Sequence, residues 1–161
     1  MIAGTGHADA ARIVDPSKFT HSASLADGVL TVTVTNTTAL PVDCSLVVSK
    51  GSAAGASANF ASLSNKWYSG EGTYDDVVDA GAEVMAAKLT DLAPDSRLPA
   101  GGKEVFTWKS GRSDTSYAVL QLCSAYDGAG NVVWGNSSYL VTGTGVGTSL
   151  PGTGSLGSLF P

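Results

Sequence analysis

Charge is scarce in this chain. Only 14% of its 161 residues are Asp, Glu, Lys or Arg, where a soluble domain carries about a quarter. The net charge is −5 and the nine Lys and Arg residues are scattered. Nucleic acid and anionic membranes bind clustered cations, so this distribution argues against both as partners. No apolar run approaches the roughly 18 residues that a membrane-spanning helix needs. Histidine is nearly missing: His7 and His21 are the only two. Without a GxSxG elbow to pair with His21, nucleophilic hydrolysis has no visible machinery. Cysteine is limited to Cys44 and Cys123. They form no C-x-x-C pair, so neither a zinc site nor thioredoxin chemistry is indicated, and no cofactor is expected.

What is abundant is small and apolar. Hydrophobic residues make up 43%, enough for one core, and there are 20 Gly. A chain of this length is the size of one ordinary domain. The clearest pattern is Gly28 to Asn36, where Leu30, Val32 and Val34 alternate with Thr31, Thr33 and Thr35. Period two marks a strand with one apolar and one hydroxyl face. Asp27-Gly28 before it is a hairpin turn signal, joining it to a first strand over Lys18 to Ala26. A third strand runs from Val42 to Val48. Further strands are expected over Glu104 to Lys109, Ser116 to Ala125 and Val132 to Val141. Gly51 to Ser64 reads as a loop of small polar residues, with a short edge strand near Ala58 to Leu63.

From Tyr74 to Leu92 the period changes. Tyr74, Val77, Val78, Gly81, Val84, Met85, Lys88, Leu89 and Leu92 recur at steps of three and four, predicting an amphipathic helix. Thr73 stands at its N-cap with Asp76 three residues on, and Pro94 follows its end. Asp75, Asp76, Asp79 and Glu83 share a region by helical spacing. Paired carboxylates serve glycoside chemistry, but acids in the first turns suit the helix dipole, and a solvated face is the plainer account.

Both ends invite a reading beyond the fold. His7-Ala8-Asp9-Ala10-Ala11 carries the small-x-small pattern of signal peptidase sites, so residues 1–11 read as the stump of an export signal or as an Ala/Gly tail. Export favours a disulfide between Cys44 and Cys123, the alternative being two buried thiols. Residues 142–161 form a Gly/Ser/Leu-rich tail. Within it Leu150-Pro151-Gly152-Thr153-Gly154 matches the LPxTG sorting pentapeptide, without the apolar segment and basic residues that complete such a signal. Asn36 and Asn136 each open an N-x-S/T sequon. Asp127 to Asn131 has the look of a calcium loop but reads better as a hairpin turn between strands.

Three segments, LTVTVTNTTALPVDCSLVV, LPAGGKEVFTW and YAVLQLCSAYDGAGNVVW, resemble in order an immunoglobulin-like domain of secreted or cell-surface bacterial proteins of actinobacterial type. The resemblance spans Thr20 to Val141. It implies a mainly β, Ig-like antiparallel β-sandwich of six or seven strands with one inserted helix, over residues 12–141. Such domains usually bind, space or build. The expected function is a non-catalytic secreted or cell-surface binding module for a protein or a glycan. Alternatives are an envelope or assembly protein held by its tail and, less favoured, a hydrolytic enzyme. The contact residues proposed from sequence are Trp67, Tyr68 and Tyr74, whose rings could stack on sugars or anchor a partner; the plainer account is that they cover one end of the core. Trp108 and Trp134 lie on strands and are expected in the core.

Overall fold

Asp27 and Gly28 both have positive φ, 49° and 73°, the backbone of the tight hairpin turn that the Asp-Gly pair encodes. The turn joins β2 (Phe19–Ala26) to β3 (Val29–Asn36), which pair antiparallel from Phe19↔Asn36 to Ala26↔Val29. The computed structural model describes residues 12–127 and 129–148. Within them lie β1 (Arg12–Val14), β4 (Val42–Lys50), α1 (Ala54–Ser69), α2 (Tyr74–Ala86), β5 (Thr90–Leu98), β6 (Lys103–Lys109), β7 (Ser116–Tyr126) and β8 (Val132–Thr142).

The strands form two sheets, β1-β8-β7-β4-β5 and β2-β3-β6. All neighbours are antiparallel except β1 and β8. The sheets face each other across one apolar core. Leu30, Val32 and Val34 point in from β3, and Val42, Leu46, Val48, Tyr117 and Val119 meet them from the larger sheet. This is the mainly β, Ig-like sandwich expected from the sequence, with the β4, β7 and β8 trio in one sheet and β3 beside β6 in the other.

Cys44 and Cys123 are joined by a disulfide. In antibody domains the bridge crosses between sheets. Here the two residues are direct partners on adjacent strands of one sheet, with Cα atoms 4.2 Å apart, a separation typical of a non-hydrogen-bonded antiparallel pair.

Several expectations are corrected. The segment Gly51 to Ser64 is not a loop with an edge strand at Ala58 to Leu63. A 3-10 turn leads into α1, which runs through it to Ser69. The inward face of α1 is Ser57, Ala61 and Ser64, at steps of four and three, so its periodicity is written in small residues that carry little apolar signal. Among the described residues there are therefore two α-helices where one was expected. The second ends at Ala86, not Leu92, and its N-cap is as predicted: Thr73 Oγ1 accepts from Asp76 N at 3.2 Å and donates to Asp76 Oδ2 at 2.6 Å. Thr90–Leu98, with Pro94 inside it, is an edge strand. Proline is tolerated at an edge, and the β4–β5 register shifts on both sides of the Leu46↔Ala93 pair. With β1 and β5 added, the strands among the described residues number eight.

The helices form a third layer on the outer face of the five-stranded sheet. Ala61 of α1, Val84 of α2 and Leu120 of β7 make a small second core there, flanked by Val47, Phe60 and Leu122. Residues 1–11, read from sequence as an export stump or an Ala/Gly tail, and the pentapeptide Leu150–Gly154 lie outside the described residues.

Candidate functional site

α1 rests on β7 and β8 and is fixed by an amide pair. Asn65 Nδ2 donates to the carbonyl of Asn136 at 2.8 Å, and Asn136 N donates to Asn65 Oδ1 at 3.0 Å. β1 stops pairing with β8 at Val14↔Trp134. One step on, the Asn65 side chain takes the place of the missing strand. Asn136 Nδ2 donates in turn to Ser64 Oγ at 2.9 Å. The Asn36 amide nitrogen donates to Leu40 O at 2.7 Å and Pro99 O at 2.9 Å, and the residue is fully buried. Both sequon amides are thus engaged inside the fold.

Beyond this anchor, the helix layer leaves a cleft of about 230 Å³ against the sheet. Its floor is the outward row of β4 and β7, including Asp43, Ser45 and Ser124, and its walls include Phe60, Tyr68 and Trp134. Tyr68 and Trp134 stack face to face, with centroids 3.8 Å apart and planes 8° from parallel. Tyr126 meets Trp134 edge-on at 6.0 Å and is half exposed. Burial, and then the neighbouring Tyr126, push the Tyr68 phenol above its ordinary range. It stays neutral at physiological pH and can both donate and accept. Asp43 pairs with Arg97 at 3.4 Å on the exposed surface.

The three aromatics proposed from sequence come together. Trp67 lies 4.7 Å from Tyr68 and 5.4 Å from Tyr74 by ring centroids. Their setting differs from expectation, because Trp67 and Tyr68 stand on the last turn of α1 and not in a loop. Only Tyr68 lines the cleft; Tyr74 is 60% exposed at the start of α2. Trp134 is also corrected. It points outward from β8 opposite Ser124, is half-buried, and forms part of the cleft rather than the core. Its place in strand alternation was the signal: it is an even number of residues from Asn136 and an odd number from the core-facing Val133. Trp108 is partly buried against the core as expected, edge-on to Tyr117 at 5.1 Å. Phe60, Ser124 and Asn136 were missed because α1 itself was missed.

His21 sits on edge strand β2, stacked on Tyr139 of the facing sheet with centroids 3.5 Å apart. Burial lowers its pKa. Tyr139 donates to Gln121 Oε1 at 3.3 Å, and Gln121 Nε2 donates to Phe19 O at 2.8 Å, so this ring is tied into a link between the sheets. The Asp127 turn closes on itself. Asp127 accepts from Ala129 N at 2.9 Å, Asn131 N at 2.8 Å and Asn131 Nδ2 at 2.7 Å, and the Asn131 side chain and backbone hold its carboxyl below the usual range. The acidic residues Asp75, Asp76, Asp79 and Glu83 lie on exposed positions of α2. No helix among the described residues is long and apolar enough to cross a membrane.

No family model matches the chain, and no curated protein is similar to it in sequence. Among solved structures, it is similar to a bacterial immunoglobulin-like domain from the M. primoryensis ice-binding adhesin. The identity is 14%, over 86% of this chain and 99% of that one, with a TM-score of 0.30.

Proposed function

We propose that this is a non-catalytic binding module that takes a sugar ring of a glycan in the cleft between α1 and the five-stranded sheet. The observation that carries this is the stacked Tyr68–Trp134 pair walling a floor that includes Asp43, Ser45 and Ser124. A pyranose offers an apolar C–H face and a rim of hydroxyls. Aromatic walls suit the face, and carboxylate, hydroxyl and amide groups suit the rim. The site is preorganised, since the aromatics sit on a helix end and a strand that Asn65 and Asn136 lock together. That lowers the ordering cost of binding. The disulfide supports a place in an oxidising compartment, secreted or at the cell envelope.

Affinity electrophoresis through gels cast with cell-wall and capsular polysaccharides tests the reading. The wild-type protein is expected to be retarded by at least one of them. Tyr68→Ala should weaken retention about thirtyfold, as for an aromatic anchor worth about 2 kcal/mol. Ser124→Trp, which fills the cleft from its floor, should abolish it while leaving the melting temperature within a few degrees. Equal migration of wild type and Ser124→Trp in every gel would remove the proposal.

A further inference from the structure

A second cleft opens at the other end of the five-stranded sheet, where the segment after α2 crosses the edge of the sandwich. Its volume is about 190 Å³. Lys50 of β4, Lys88 after α2 and Arg112 in the β6–β7 connection all line it, with Ser49, Thr90 and Trp108. Three of the nine basic residues of a net acidic chain therefore converge on one small site. Opposing them are Asp114, 3.8 Å from Lys50, and the carbonyl end of α2, worth about half a charge. Lys88 and Arg112 have no ion-pair partner among the described residues, so positive charge remains in excess.

Two further observations point to a ligand. Ser49 is 4% exposed, and its Oγ is buried without a hydrogen-bond partner. A buried hydroxyl left unpaired is costly and uncommon in a native fold. Lys88 adopts φ 55°, the left-handed region, immediately after the C-cap Ala87. Glycine is the residue that occupies this position without strain. A lysine there costs backbone energy, and the residue lines the cleft.

We infer that this cleft binds an oxyanion, with Lys88 and Arg112 supplying charge and Ser49 donating the hydrogen bond it lacks in the free fold. Trp108 offers an apolar wall for whatever body carries the anion. Inorganic phosphate, sulfate and acetate separate tetrahedral anions from carboxylates, each titrated at constant ionic strength against chloride. The backbone amide NMR shifts of Ser49, Lys88 and Thr90 give the readout. At least one anion should shift them saturably where chloride does not, and the tighter class identifies the ligand group. Arg112→Gln and Lys88→Gly should each weaken that binding about tenfold or more. Ser49→Ala should weaken it about tenfold with the melting temperature unchanged or raised, because the free fold loses no hydrogen bond. Tyr68→Ala should leave it unaltered, which keeps this result independent of the glycan reading. Shifts that match chloride would overturn the inference. So would unchanged affinity in both Ser49→Ala and Arg112→Gln.

Discussion

The two faces of the five-stranded sheet are packed by different means. Toward the smaller sheet it presents Val42, Leu46, Val48 and Val119, each at most 1% exposed, against an equally apolar partner. Toward the helices it presents Asp43, Ser45, Ser124 and Asn136 among a few aliphatic residues, and α1 answers with Ser57, Ala61 and Ser64. The first face is filled by shape and area. The second is held by the Asn65–Asn136 amide pair and leaves open space at both ends. Tight apolar packing is concentrated on one side of the sheet and open clefts on the other.

The largest test of this division removes the disulfide. A Cys44→Ala, Cys123→Ala double variant should lose about 4.5 kcal/mol on the chain-entropy account of a loop closed over this separation, read as a lower urea midpoint. Next, Leu30→Ala empties the fully buried centre of the intersheet core and should cost about 3 kcal/mol, with all amides losing protection together. In contrast, Asn65→Ala should cost about 2 kcal/mol by stripping the hydrogen bonds at Asn136. Its signature in hydrogen exchange is selective: α1 amides speed up while β3 and β4 amides hold. Uniform acceleration would show that the helix layer is part of the main cooperative unit and break the comparison. A smaller gain, roughly 0.5–1 kcal/mol, is expected for Lys88→Gly, which relieves the left-handed backbone.

The smallest effect is one of pH. The folded-state pKa of His21 is depressed below its ordinary 6.5 by burial against the facing sheet. The unfolded chain therefore takes up the proton first. Stability should be level above about pH 6.5 and fall as pH drops through the folded value, with the loss absent in His21→Phe. The fall should register at the junction of β2 and β8, where His21 meets Tyr139.

Legibility of the sequence divides along the same line. The intersheet core is written in strict alternation of large aliphatics, and Leu30, Val32 and Val34 could be placed on it directly. The Asp27-Gly28 turn, the Thr73 cap and the strands around both cysteines follow local rules that neighbours do not override. α1 was hidden because Ser57, Ala61 and Ser64 make its inward face, and small residues pack closely on a sheet without an apolar stripe to betray them. β5 was hidden by Pro94, which stops a helix but is compatible with an edge strand that shifts register. With α1 unseen, the aromatic pair Trp67–Tyr68 was legible only as chemistry without an address. Trp134, its actual stacking partner, was absorbed into the core.

The placement of the disulfide decides how the molecule answers to tension. β1, next to the described N-terminal end, lies parallel to β8, next to the C-terminal end. Pulling the ends apart therefore slides these two strands along each other and loads their hydrogen bonds together instead of peeling them one at a time. If the strands part, extension stops at the cysteines. The chain between Cys44 and Cys123, a separation of 79 residues, lies off the load path because the covalent bridge bypasses it. At about 3.5 Å per extended residue, roughly 275 Å of contour length stays locked. β5, β6 and both helices lie within that shielded loop, whose length becomes available to extension only when the bridge is reduced.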